Sequence, residues 1–315
     1  MTEQELLAAN DEDSADTGAN DPTLPPRKLW IIVLLALIAG PFALAYCGRL
    51  QRAVVWLCIK WCVAVIVLAA MLYLPFGRLA LFGGILLGLA VIPAIILDAY
   101  RLSKHTPPLS PRGYQRWWGY AALLFAFLLT ETVGLELNRR YVSEGFLIPR
   151  NSMAPTLTSG DRILANKLAS YYRSPQRGEL IVFVTPDEHA VLYTKRVIAL
   201  EGDTIAIDQD EVRVNGTPLE EPYVQYNAPA PPLERLHHLP TMKVPAGHVF
   251  VLGDNRWQSQ DSRFLGPIPQ ENIIGLVRLR FWSRELDYTE PTRQSPLEKP
   301  LWGEIRWDRI GTIVQ

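Results

Sequence analysis

The sequence predicts two dissimilar parts, an α-helical membrane anchor of four transmembrane helices and, behind it, a mostly-β antiparallel domain. Three observations carry this expectation. Apolar residues crowd the stretch 29–137; short β-branched runs punctuated by turn residues fill the chain after it; and the carboxylates gather in the first 21 residues and beyond Glu144. A chain of 315 residues has room for about two domains at roughly 150 residues each. The net charge of -1 provides no basic field, so nucleic acid is not an expected partner.

Residues 1–28 are rich in Asp, Glu, Asn, Thr and Pro, and have too little apolar surface to fold alone; they read as a disordered acidic tail. The tail lacks the basic start and small-residue cleavage site of a secretory signal. In the transmembrane region, 29–140, four apolar runs follow at about 29–46, 53–76, 79–100 and 117–137. Each approaches the roughly 20 residues that cross hydrocarbon. Lys60 falls inside the second run near its start, where its amine is expected to snorkel to the interface. Thr130, Glu131 and Thr132 are expected at the interface, near the outer end of the fourth. Cys47, Cys58 and Cys62 lie in or beside this half and read as apolar thiols, which leaves the second half free of disulfides.

Basic residues are retained on the cytoplasmic side. Arg49 and Arg52 follow the first run, and Arg101, Lys104, Arg112 and Arg116 follow the third; Arg78 alone follows the second. Arg27, Lys28, Arg139 and Arg140 pull the other way but are outweighed. With four spans, both termini are expected outside a bacterial-type inner (plasma) membrane, in a multi-pass topology with 141–315 extracytoplasmic.

In 141–315, strands are expected at 162–165, 179–184, 191–200, 204–207, 212–214 and 248–252, separated by turn residues such as Ser159-Gly160-Asp161, Gly202-Asp203 and Asn215-Gly216. The proline-dense stretch 227–240 reads as an irregular loop. His189, His237, His238 and His248 lack the spacing of metal ligands, so no metal is expected, and no organic cofactor is implied.

Three clusters in this half carry chemistry: Ile148-Pro-Arg-Asn-Ser-Met-Ala-Pro-Thr-Leu157, Tyr193-Thr-Lys-Arg-Val-Ile-Ala-Leu-Glu-Gly-Asp203, and Gly253-Asp-Asn-Arg-Trp-Gln-Ser-Gln-Asp-Ser-Arg263. In this order, with Arg177-Gly-Glu-Leu-Ile-Val-Phe183 between the first two, they resemble the type I signal peptidases, serine proteases with a Ser/Lys dyad. The resemblance covers 146–277. It implies a signal-peptidase-like β domain and a membrane-bound endopeptidase that removes N-terminal signal peptides from exported preproteins after an Ala-x-Ala type site. Its partners are then secretory signal peptides and the lipid bilayer.

Carried over residue by residue, the resemblance makes Ser152 the nucleophile, Lys195 the general base and Ser259 the hydroxyl that orients the lysine. Ile148, Met153, Leu157 and Tyr193 are the implied walls of shallow substrate pockets. Arg196, Asp254, Asp261 and Arg263 are similar to a buried ion-pair set beside the site. A serine hydroxyl needs such a base, and a lysine can serve near neutral pH only if burial lowers its pKa from about 10.4 by about two to three units. Tyr193, Val197, Ile198 and Leu200 supply apolar surroundings, and strand alternation turns Arg196 to the other face. The chain departs from the family at Arg150, where Ser, Thr or Gly usually assists the oxyanion, and at Ala199 and Glu201. Two other functions fit the same residues: a specialised protease processing a pilus or conjugation protein, and an inactive protease-like membrane module that binds without cutting. A transporter built on Lys60, Thr130, Glu131 and Thr132 is a third class.

Overall fold

The computed structural model describes residues 28–105, 116–186, 190–226, 237–285 and 304–314. The tail expected at 1–28 lies outside them save for Lys28, as do His189 and most of the proline-dense loop. The chain divides into two compact units, one of Met1–Val65 with Leu86–Thr132, the other of Ile66–Ile85 with Val133–Gln315.

Among the described residues, three helices are long and apolar enough to cross a membrane: α3 (Leu50–Tyr73), α4 (Gly77–His105) and α5 (Trp117–Leu137). The first apolar run differs from the expected single span. It folds as α1 (Leu29–Ala39) and α2 (Phe42–Tyr46), interrupted where Gly40 takes φ +50° and Pro41 brings no N–H. The 11 residues of α1 reach about 16 Å, roughly half of a hydrocarbon core. Small residues let the pair pack closely: Ala36, Ala39 and Ala43 are buried with Ile32, Leu44, Ala53, Ile95 and Ala99 in one cluster.

The polar side chains of these helices find each other. Arg52 and Trp56 both donate to Asp98, at 2.8 and 2.9 Å. Lys60, expected to snorkel, lies about 15 Å along α3 and its amine sits 2.7 Å from Glu131 of α5, itself expected at the interface. An ammonium in an apolar bundle is stabilised more by a carboxylate within reach than by a long excursion to water.

In the second unit, α5 passes through one π turn, Asn138–Val142, into strand β1 (Ser143–Leu147). Then come β2 (Asp161–Asn166), the short helix α6 (Lys167–Tyr172), β3 (Leu180–Val184) and β4 (Leu192–Ala199). A hairpin-rich excursion follows as β5 (Thr204–Asp208), β6 (Glu211–Val214), β7 (Thr217–Pro218) and β8 (His238–Lys243). The chain returns through β9 (His248–Leu252), α7 (Ser262–Leu265), β10 (Ile268–Pro269), β11 (Ile273–Ser283) and β12 (Thr312–Ile313). The larger sheet runs β1-β2-β11-β3-β4-β9-β10 with β12 on β11, the smaller β7-β6-β5-β8, and every named pair is antiparallel.

The mostly-β antiparallel expectation therefore holds. The strand list differs in places: residues 238–240, expected in an irregular loop, begin β8, and the outer strand β1, the long central strand β11 and the short strands β7, β10 and β12 lie outside the expected strands. The run Leu-Ile-Val-Phe-Val of β3 is apolar at every position because the strand is covered on both faces: Leu180 and Val182 join Met153, Leu157 and Ile163, while Ile181 and Phe183 join Val197, Val249 and Val251.

Candidate active site

Strand β4 places Lys195 opposite Ile181 and Arg196 opposite Leu180, so consecutive residues enter different faces of the sheet, as alternation predicts. Lys195 is 3% exposed, on the face of Phe183 and Val197, and its amine donates to Ser152 Oγ at 2.7 Å. The ring of Tyr193 lies 5.3 Å from the ammonium. Burial pushes the Lys195 pKa down to about 8; the carboxylates of Asp261 and Asp254 pull it upward and the Arg263 guanidinium adds to the fall.

Ser152 stands in the loop that joins β1 to β2, and three contacts hold its backbone. The Asn255 amide N–H donates to the Ser152 carbonyl at 3.2 Å, and its side-chain amide donates to the Asn151 carbonyl at 3.1 Å. Asn151 in turn accepts from the Ser159 N–H at 2.8 Å. Gly253 lets the two loops touch: a Cβ there would lie 2.2 Å from Ser259 Oγ and 2.6 Å from the Ser152 carbonyl oxygen.

The four charged residues expected in ion pairs are all buried. Arg196 grips Asp254 through two hydrogen bonds of 2.9 and 2.7 Å, and Asp254 also accepts from Thr156 Oγ1 at 2.5 Å, which joins the pair to the Ser152 loop. Arg263 holds Asp261 through bonds of 2.8 and 2.7 Å, and Asp261 accepts from the Gly253 N–H at 3.0 Å. Burial alone would raise the Asp261 pKa, but the hydrogen bonds and charge of Arg263, the Gly253 N–H and the Lys195 charge bring it below the usual carboxylate range.

Other expected residues behave differently. Ser259 is buried beside Gly253, yet its hydroxyl makes no hydrogen bond among the described residues, so the expected bond to Lys195 is not formed. Ile148, Met153 and Leu157 are closed into the core cluster with Ile163 and Leu180, and little of their surface faces outward. Tyr193 is partly exposed; its ring meets Phe183 edge-on and its hydroxyl donates to Gln260 at 2.9 Å. Arg150 is exposed and makes no hydrogen bond among the described residues. A cavity of about 640 Å³ elsewhere in this unit is lined by Arg173, Arg196, Tyr223 and Arg278 and includes neither Ser152 nor Lys195.

Sequence reasoning gave no role to Asn255 or Gly253, although both stand in the third cluster. Their roles follow from how close that cluster comes to Ser152, which spacing along the chain does not reveal. Asp161 was read only as part of a turn; it is fully buried, accepts from Ser283 Oγ at 2.5 Å, and is met by Arg280, Arg306 and Arg309 at 3.0, 3.3 and 2.8 Å.

Residues 118–282 match the family model described as signal peptidase, peptidase S26. A probable signal peptidase I-1 of Synechocystis sp. is 38% identical over 176 residues, which cover 52% of this chain and 84% of that protein. The signal peptidase I of Leptolyngbya laminosa is 39% identical over 164 residues, 48% of this chain and 77% of the relative. That of Bacillus amyloliquefaciens is 31% identical over 191 residues, 58% and 95% of the respective chains.

Proposed function

The chain belongs to the signal peptidase family, peptidase S26, and on that premise we propose that Ser152 is the nucleophile and Lys195 the general base of its reaction. It is a membrane-associated serine endopeptidase that removes signal peptides. The observation that carries the dyad is the 2.7 Å contact between the two side chains, with the amine buried and its pKa pushed down to about 8.

The neutral Lys195 amine takes the Ser152 hydroxyl proton as Oγ attacks the scissile carbonyl, and the resulting ammonium gives that proton to the departing amine. Water then releases the acyl group from Oγ by the same proton path in reverse. The Ser152 backbone N–H makes no hydrogen bond among the described residues and is free to receive the oxyanion. Arg150, exposed two positions earlier, is the side-chain donor available to it. The substrate lies extended along β4: Leu192–Thr194 pair with β3 on one side only, because β9 joins β4 from Arg196 onward, so an edge beside Lys195 is open to a peptide strand. Tyr193 borders that edge. Ile148, Met153 and Leu157 form the apolar floor beneath the loop of Ser152, and shallow pockets on such a floor select small residues, as at an Ala-x-Ala site.

The anchor crosses the bilayer three times, through α3, α4 and α5, in place of the four spans expected from composition. This reading is supported by the basic residues: Arg27 and Lys28, which opposed the four-span topology, now share the cytoplasmic side with Arg49, Arg52, Arg101, Lys104, Arg112 and Arg116, against Arg78, Arg139 and Arg140 outside. The catalytic domain remains extracytoplasmic.

The test is cleavage of a precursor with an Ala-x-Ala site by the full-length enzyme in detergent, beside Ser152→Ala and Lys195→Ala. Each substitution is expected to lower kcat by about 10³-fold or more. Cleavage undiminished in either variant overturns the dyad.

A further inference from the structure

The cavity of about 640 Å³ that excludes the dyad lies beside the ends of two long apolar helices. Leu72 and Tyr73, the last two residues of α3, form part of its wall. Helix α6 contributes Ala169 and, just beyond its end, Arg173; it is tied to the π turn after α5 by a bond of 3.0 Å from Lys167 Nζ to the Arg139 carbonyl. Tyr171 and Tyr172 at the end of α6 are 67% and 82% exposed, and rings of this half-polar kind gather at the level of lipid headgroups. Leu72, Leu276, Val277 and Val314 give the cavity an apolar wall.

Among the described residues, four guanidinium groups and one carboxylate line it. Two of the four are fully matched. Arg196 is paired with Asp254 and donates to the Gly178 carbonyl at 2.7 Å. Arg173 holds Glu179 through bonds of 2.8 and 2.6 Å, and Glu179 also accepts from the Gln176 N–H at 2.7 Å, so the lining carboxylate has little capacity left. Arg177 meets Asp203, outside the lining, through one nitrogen at 2.8 Å. Arg278 of β11 meets no carboxylate among the described residues. One of its terminal nitrogens reaches the carbonyls of Tyr73 and Leu74 at 3.4 and 3.3 Å, long for such bonds, and its Nε is buried with no partner among the described residues. A half-buried guanidinium in that condition is poorly stabilised until an anion with several acceptor oxygens joins it.

We propose that this cavity binds the headgroup of an anionic glycerophospholipid, with the phosphodiester on Arg278 and Arg177 and the glycerol and first methylenes against the apolar wall. Guanidinium forks match phosphate oxygens, and the volume suits a headgroup. The apolar wall, which begins at the end of α3, favours a lipid over a free phosphate compound. Glu179 is already held by Arg173, so it offers nothing to the ammonium of a zwitterionic headgroup, and the net charge of the lining selects an anionic one. A lipid seated there bridges β11 and the end of α3. The proposal rests on the reading of α3 as a membrane span and is independent of the dyad.

The experiment uses the full chain purified in dodecyl maltoside, with dioleoylphosphatidylglycerol, dioleoylphosphatidylcholine and glycerol 3-phosphate as probes. It reads the lipid bound per chain and the thermal unfolding midpoint. Phosphatidylglycerol is expected to bind about tenfold more tightly than phosphatidylcholine and to raise the midpoint. Arg278→Gln should weaken that binding about tenfold and Arg177→Gln about threefold, both unfolding near the parent's midpoint in lipid-free detergent. Arg140→Gln, on the π turn but outside the cavity, should bind as the parent does. Should Arg278→Gln fail to fold, Arg177→Gln decides. Equal binding of the two lipids, or undiminished binding in the cavity variants, overturns the site, and so does an equal loss in Arg140→Gln, which general attraction to a basic surface gives. Protection by glycerol 3-phosphate equal to that by phosphatidylglycerol overturns the lipid assignment. The span reading fails separately: a chain washed from vesicles at alkaline pH overturns span and site together, whereas one that stays embedded without preferring phosphatidylglycerol overturns the site alone.

Discussion

Lys195 and Arg196 stand side by side on β4, both almost wholly buried, and only Arg196 holds a carboxylate, that of Asp254 at 2.7 Å. Strand alternation makes the difference: one side chain enters an ion-paired face, the other an apolar face where its nearest polar partner is the Ser152 hydroxyl. A guanidinium stays charged in either setting, whereas an ammonium without a direct carboxylate loses its proton far more readily.

The pH dependence of cleavage follows from that amine. A base works when neutral, so kcat/KM should rise with pH through an apparent pKa of about 8 and fall tenfold per unit below it. Asp261→Asn removes a charge that raises this pKa and leaves Arg263, which lowers it, uncompensated. The rising limb of Asp261→Asn should therefore move to lower pH, as initial rates on a soluble peptide between pH 5 and pH 10 would reveal. A limb moved to higher pH contradicts the electrostatic account.

Stability should move opposite to activity in Lys195→Met. The folded-state pKa lies below the unfolded one, so the unfolded chain binds the extra proton and the group destabilises the fold fully below about pH 8, with the penalty vanishing as pH rises through 10.5. A shift of that size corresponds to about 3 kcal/mol at pH 7. The variant should lose cleavage, yet unfold in urea at a higher midpoint than the parent at pH 7, with the difference shrinking towards pH 10. A lower midpoint at pH 7 would mean that the hydrogen bond to Ser152 outweighs burial.

Gly253→Ala tests how tightly the loops of Ser152 and Ser259 are set. The Ser259 side chain could swing away, but the Ser152 carbonyl is backbone and can yield only by moving the loop. A displacement approaching 1 Å at a reacting atom costs about 10²-fold, so kcat should fall by that order while KM changes little. Single-turnover kinetics would separate the two, and an unimpaired kcat would show that the loops have slack.

Much of this architecture was legible because local signals were strong. The three clusters lie where the fold joins them, and β3, β4 and β9 are short apolar runs between turns. The break of the first apolar run was also written locally, in Gly40-Pro41, but composition over a window of about 20 residues averages such a break away. Strand β11 escaped because Arg278 and Arg280 interrupt its apolar residues, yet Leu279 and Arg280 are both buried, so its burial follows neither simple alternation nor a continuous apolar run. The partners of Asp161 could not be read at all: Arg306 and Arg309 lie some 150 positions away, and the bridge of Ile305 to Arg284 together with the pairing of β12 with β11 brings them there.

Lys60 and Glu131 offer the corresponding test in the anchor. The pair is separated by 2.7 Å, and each residue sits within a helix long enough to span the bilayer. Removing one partner leaves the other charge uncompensated among apolar side chains, whereas removing both leaves apolar surfaces that can pack. Lys60→Leu and Glu131→Leu should each destabilise the detergent-solubilised protein, by about 1–3 kcal/mol after allowance for their partial exposure. The double variant should recover most of that loss. Thermal unfolding of the four proteins in one detergent gives the cycle, and a double variant no better than the sum of the singles means that the two charges are solvated separately in the membrane.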